Sequence, residues 1–131
     1  MREAGRELDA EIAENVMGWT DVEWGGAFLW GAFPGLVEAE GEGVTTFVPH
    51  YSTEIVHAWL VVEAMRAKGW DCEMQVLTDG FTATFRPYTD YLAPKHRAAV
   101  DPRQGGMPLA ICLAALQAVS GEIPPNGDAG K

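Results

Sequence analysis

The sequence predicts a small α+β sandwich in which a mainly antiparallel sheet is flanked by helices. Three observations carry that prediction. Apolar residues recur at helical spacing in two separate segments, Leu8–Val16 and Ile55–Met65. Period-two alternation runs on both sides of Asp79-Gly80, as in a hairpin. An uncharged run, MPLAICLAALQAVS, closes the apolar part of the chain. With 131 residues there is length for one core and not for two, so a single domain is expected over 1–122 with a flexible tail at 123–131.

The elements follow in order. Leu8, Ile12 and Val16 recur every four residues between about Glu3 and Met17, with Glu7, Glu11 and Glu14 on the other faces. Gly18 stands where a left-handed helix cap is favoured, and Trp19 is expected to fold back as an apolar plug. In VEWGGAFLWGAFPG the aromatics Trp24, Phe28, Trp30 and Phe33 favour strand, whereas four glycines and Pro34 oppose a long one. A short strand near Ala27–Trp30 is expected, then a loop through LVEAEGEG and a second short strand at Val44–Val48.

Ser52 or Thr53 is the expected N-cap of the next helix, with Glu54 in its first turn. Its stripe is Ile55, Trp59, Val62 and Met65, and Arg66, Lys68 and Gly69 mark its end. Trp70, Cys72, Met74 and Val76 then alternate with polar residues, as do Phe81, Ala83 and Phe85 after a tight turn at Asp79-Gly80. Residues 87–106 hold Pro87, Pro94, Pro102, Gly105 and Gly106 and read as an irregular loop. The last helix opens with Pro108 in its first turn. Being apolar all round, it is expected to be buried against the sheet or in a subunit interface. The tail GEIPPNGDAGK is expected to fray.

Composition narrows the function classes. Apolar residues make up 47% and charged residues 21%, ordinary for a globular domain. No window reaches the roughly 18 apolar residues of a spanning helix, and the charged N-terminal segment does not read as a signal peptide. A net charge of −10 argues against direct nucleic-acid binding, which needs clustered Lys and Arg. Residues 1–42 hold ten acids against Arg2 and Arg6, so most of that excess lies in the first third of the chain. Such a face either steers a basic partner or merely keeps the protein soluble. Cys72 and Cys112 sit in apolar runs without C-x-x-C spacing, and are read as buried thiols in a reducing cytoplasm.

Three segments taken together resemble a known family. They are LDAEIAENVMGW at 8–19, PHYSTEIVHAWLVVEAMRAKGW at 49–70 and PLAICLAALQAV at 108–119. Their order resembles the phage ABA sandwich domain family, small proteins of tailed phages and prophages. The resemblance implies a layered α/β/α sandwich and a phage origin, and implies no particular activity. Trp19, Trp59 and Trp70 within these segments read as core.

The sequence offers little chemistry. His50 and His57 are seven positions apart, off the helical ligand spacing, and with His96 give no metal set. Ser52 and Ser120 lie in no nucleophile elbow, and no glycine-rich phosphate loop occurs. No enzyme, cofactor or metal is therefore expected.

Binding features remain. Glu7, Glu11 and Glu14 with Trp24, Phe28 and Trp30 are the candidate partner-binding residues, the aromatics serving either as a surface anchor or as core. Tyr88, Tyr91, Lys95, Arg97 and Arg103 are the candidate set for a small anionic ligand, or else a solvated loop. The expected function is that of a non-enzymatic phage accessory protein acting by binding, as an inhibitor of a host defence protein in the host cytoplasm. The alternatives are a sequestering protein for a nucleotide-type signal, held between subunits of a homodimer, and a minor phage assembly protein.

Overall fold

The computed structural model describes residues 3–37, 43–90 and 92–120. The acidic stretch 38–42, Tyr91, the tail 123–131 and the side chain of Phe33 lie outside the described residues. The element order is α1 (Arg6–Asn15), β1 (Thr20–Gly25), β2 (Phe28–Val37), β3 (Gly43–Phe47), α2 (Ile55–Ala67), β4 (Trp70–Leu77), β5 (Gly80–Pro87), β6 (His96–Val100) and α3 (Met107–Ser120). The class is α+β with antiparallel pairing throughout the described strands, which divide into two three-stranded sheets, β1-β2-β3 and β4-β5-β6.

Helix α1 buries Leu8, Ile12 and Val16, the residues of its sequence stripe. Gly18 takes φ 79° beyond its end, and the Trp19 N–H returns to the Ala13 carbonyl at 2.8 Å. No basic residue stands in the last turn of α1. Lys68 supplies the cation from the end of α2, its Nζ donating to the Val16 carbonyl.

The glycine-aromatic stretch corrects the expectation of one short strand near Ala27–Trp30. It forms two strands, because Gly25, Gly26 and Gly31 sit where a side chain would clash or be strained. Gly26 takes φ 68° in the two-residue tip between the paired Gly25 and Phe28. A Cβ on Gly31 would stand 2.8 Å from the Trp19 ring and 3.0 Å from Val22, so this glycine lets Trp19 lie against the sheet. The β1–β2 register shifts between Thr20 and Glu23, where Asp21 has φ 54°.

Neither Ser52 nor Thr53 caps α2; Glu54 holds the N-cap position without a side-chain hydrogen bond. The buried face of α2 is also displaced from the predicted stripe. Ala58, Val61, Val62 and Met65 are buried, whereas Ile55 and Trp59 are exposed, Trp59 at 47%. Trp59 is therefore not core. Helix α2 packs against α3 and β4, and this sets which of its apolar residues are covered.

The β4–β5 hairpin forms, with its tight loop one position earlier than predicted, at Thr78-Asp79 between the paired Leu77 and Gly80. A Cβ on Gly80 would run into the Val100 carbonyl oxygen, so this glycine is needed for close approach to β6. Strand β6 itself corrects the reading of 87–106 as irregular. His96, Ala98 and Val100 turn inward while Arg97 and Ala99 face outward, a period-two pattern that short length and flanking prolines obscured.

Helix α3 packs on β5 and β6 and against α2 and α1. Residues Leu109–Leu116 and Ala118 are all buried, so its uncharged surface is covered within the chain. Phe85, Ala83, Ala98 and Val100 form the sheet side of that core. Cys112 is buried and Cys72 half-buried, both as free thiols. Among the described residues no helix is long and apolar enough to cross a membrane.

Candidate functional site

The outer face of the first sheet carries an aromatic cluster. Side chains directly opposite in antiparallel strands share a face. Gly25 pairs with Phe28, Glu23 with Trp30, and Trp30 with Phe47. Phe28, Trp30 and Phe47 therefore project together, on the face opposite the buried Leu29. The Trp30 and Phe47 rings lie 4.1 Å apart at 31°, and Phe28 meets Phe47 edge-on at 5.4 Å. Gly25 leaves room beside them, since a Cβ there would stand 2.9 Å from the Trp30 indole. Phe28 is 58% exposed and Phe47 51% exposed, while Trp30 is half-buried beneath them. The three form a ridge with Glu23 at its border.

Trp24 does not belong to this ridge. It pairs with Leu29 and so stands on the other face, exposed near the hairpin tip. Phe47 takes the place that sequence reasoning gave to Trp24. Its signal was the alternation of Phe47 with the buried Val48, unreadable until the β2–β3 register was known.

The acidic residues divide by helix face. Glu7 and Glu14 are exposed and Glu11 half-buried on one side of α1. Asp9 is fully buried, and is a structural residue. Its Oδ1 accepts from the Ser52 N–H at 2.8 Å and the Ser52 hydroxyl at 2.7 Å, and its Oδ2 from Arg6 at 2.7 Å. Arg6 also donates to the carbonyls of Pro49 and Val48, at 3.1 and 2.5 Å. This network ties the start of α1 to the segment before α2, which is why Ser52 is unavailable as a cap. Each oxygen of the buried carboxylate thus has a donor.

The candidate anion-binding residues are not drawn to one place. Tyr88 and Lys95 lie exposed at the end where β5 leads towards β6, and Arg97 lies within β6. Arg103 follows the opposite end of β6 and pairs with Asp101 at 3.2 Å. Arg103 hydrogen bonds hold the Asp101 carboxyl below its ordinary range. His50 and His57 face one another, the His50 N–H donating to His57 Nδ1 at 2.9 Å, so their proximity serves local structure. Among the described residues no cluster of His, Cys, Asp or Glu could hold a metal ion.

The phage ABA sandwich domain model matches residues 10–116, more than half of the chain. The chain belongs to that family. No curated protein and no solved structure matches it. The match runs from within α1 to within α3, so it contains the aromatic ridge and Ser52, while Arg6 and Asp9 of the buried polar network stand just before it.

Beside that network, burial pushes the Tyr51 hydroxyl of this domain up to about 12, against the opposing effect of a hydrogen bond with Trp19; the Asp9 and Cys112 charges add to the rise. Burial likewise raises the Cys112 thiol. Both shifts favour the neutral phenol and thiol beside the hydrogen-bonded Asp9 carboxylate.

Proposed function

We propose that this phage ABA sandwich domain acts by binding a host protein, without chemistry of its own. The observation that carries the reading is the ridge of Phe28, Trp30 and Phe47, two of whose rings are more than half exposed. Aromatic side chains mutually braced on a sheet lose little conformational freedom on binding, and such groups dominate protein–protein contacts. Glu7, Glu11 and Glu14 supply the acidic field that attracts a partner with a basic rim. Inhibition of a host defence protein is the form of binding we favour, because occlusion by one stable surface needs no catalytic group.

The test is quantitative affinity capture of the tagged domain from phage-infected cells, with Phe28→Ala/Phe47→Ala in parallel. One host protein held by the wild type and lost by the double variant is expected. Equal capture by both, or capture of none, overturns the reading.

A further inference from the structure

Strand β4 is an edge strand of the second sheet, and its backbone leaves a defined row of groups open. Leu77 and Gly80 close a two-residue loop, so they form a hydrogen-bonded pair. In the alternating antiparallel pattern, Gln75, Glu73 and Asp71 then also direct their N–H and C=O groups to β5. Pro87, which has no N–H, stands opposite Trp70 and fits that phase. Cys72, Met74 and Val76 consequently turn their backbone groups outward. This edge has no proline, lysine or break in register to blunt it, and its only charges are Asp71 and Glu73.

The side chains beside the edge are also unusual. Cys72, Met74 and Val76 share the helix-facing side, opposite Phe85, Ala83 and Phe81. Val76 is nonetheless 74% exposed and Met74 38% exposed. On α2, which packs against β4, Ile55, Val56, Trp59 and Leu60 form an exposed stripe at i, i+1, i+4 and i+5. An open strand edge and a helix with an exposed apolar stripe are therefore neighbouring elements.

We propose that the occupant is a second copy of this chain, the two β4 strands pairing antiparallel about a two-fold axis through Met74. Charge and strand length select this register. It places Met74 opposite Met74, Cys72 opposite Val76, Glu73 opposite Gln75 and Asp71 opposite Leu77. A slip of one pleat in one direction sets Glu73 against Glu73, costing like-charge repulsion, and in the other sets Cys72 against Thr78, past the end of the strand, so that its outward groups lose a strand partner. In the Met74-centred register every outward-facing group of Cys72, Met74 and Val76 meets a complementary one. The axis stands perpendicular to the sheet, so both helical layers remain on one side. The two α2 stripes then meet across the axis and cover Met74 and Val76. The product is a continuous six-stranded sheet made from two three-stranded ones. This interface uses a different sheet from the aromatic ridge and does not rest on the proposed function.

Sedimentation equilibrium of the full chain tests it. The expected mass is twice 14.2 kDa, with association strengthened by salt, which screens the net charge of −10 on each copy. Met74→Lys and Trp59→Glu, both at exposed positions, are each expected to weaken the dimer tenfold or more while the circular dichroism stays native. Val76→Cys is expected to form a covalent dimer with Cys72 of the second copy under an added oxidant, since such a pair is within disulfide reach. The product should disappear in Val76→Cys/Cys72→Ala. A wild-type monomer at the highest soluble concentration overturns the proposal. So does a dimer indifferent to Met74→Lys and Trp59→Glu, or failure of the cross-link. A monomer that captures a host polypeptide through this stripe gives the surface to another occupant and equally overturns it.

Discussion

Ser52 donates both its backbone N–H and its hydroxyl to one oxygen of Asp9, at 2.8 and 2.7 Å, although 43 positions separate the two residues. Asp9 is fully buried, so these bonds replace hydration that the carboxylate has lost. They join the first helix to the loop that launches the second.

Ser52→Ala is expected to destabilise the domain by about 1–3 kcal/mol, the usual cost of leaving a buried acceptor short of a donor. Asp9→Ala should cost more, because it also strips Arg6 of its carboxylate. Urea unfolding followed by tryptophan fluorescence measures both, and equal stability of Ser52→Ala and wild type would count against the network.

Gly31→Ala and Gly80→Ala test the two close approaches. Overpacking at Gly31 is expected to cost roughly 1–3 kcal/mol, since the Trp19 ring and Val22 can yield slightly. Gly80→Ala is expected to cost more, because the obstacle is the Val100 backbone carbonyl. The order of their thermal midpoints checks the argument.

Stability should fall in alkali. The buried Tyr51 keeps its proton until about 12, whereas in the unfolded chain it ionises near 10.0. Between those values the unfolded state binds fewer protons than the folded one, so stability declines as pH rises. Cys72, raised from 9.0 to about 11 by burial and then by the neighbouring Glu73 charge, contributes the same sign from a lower pH. Tyr51→Phe is expected to flatten the upper part of the decline, between pH 10.0 and about 12, in urea midpoints measured across this range.

For binding, Phe28→Ala/Phe47→Ala should reduce partner affinity at least tenfold and leave the thermal midpoint nearly unchanged, because both rings are exposed in the free domain. Charge reversal at Glu7, Glu11 and Glu14 acts differently. It should slow association chiefly at low salt, with a much smaller effect on dissociation, as surface plasmon resonance at two ionic strengths would show.

Local pattern was sufficient for the parts of this protein held by neighbouring residues. The stripe Leu8, Ile12 and Val16, the cap at Gly18, the β4–β5 hairpin and the buried run of α3 could all be read from spacing, because each depends on contacts a few positions apart or on its own composition. The α+β class and the family followed from their order.

Tertiary structure decided whatever depended on register or distant partners. Only strand pairing shows that Trp24 stands apart and that Phe47 completes the ridge, since a shift of one residue sends a side chain to the opposite face. Only packing turns Trp59 outward, and only the fold brings Ser52 to Asp9. Local periodicity specifies which residues can share a face; the contact that buries that face is made by residues far along the chain.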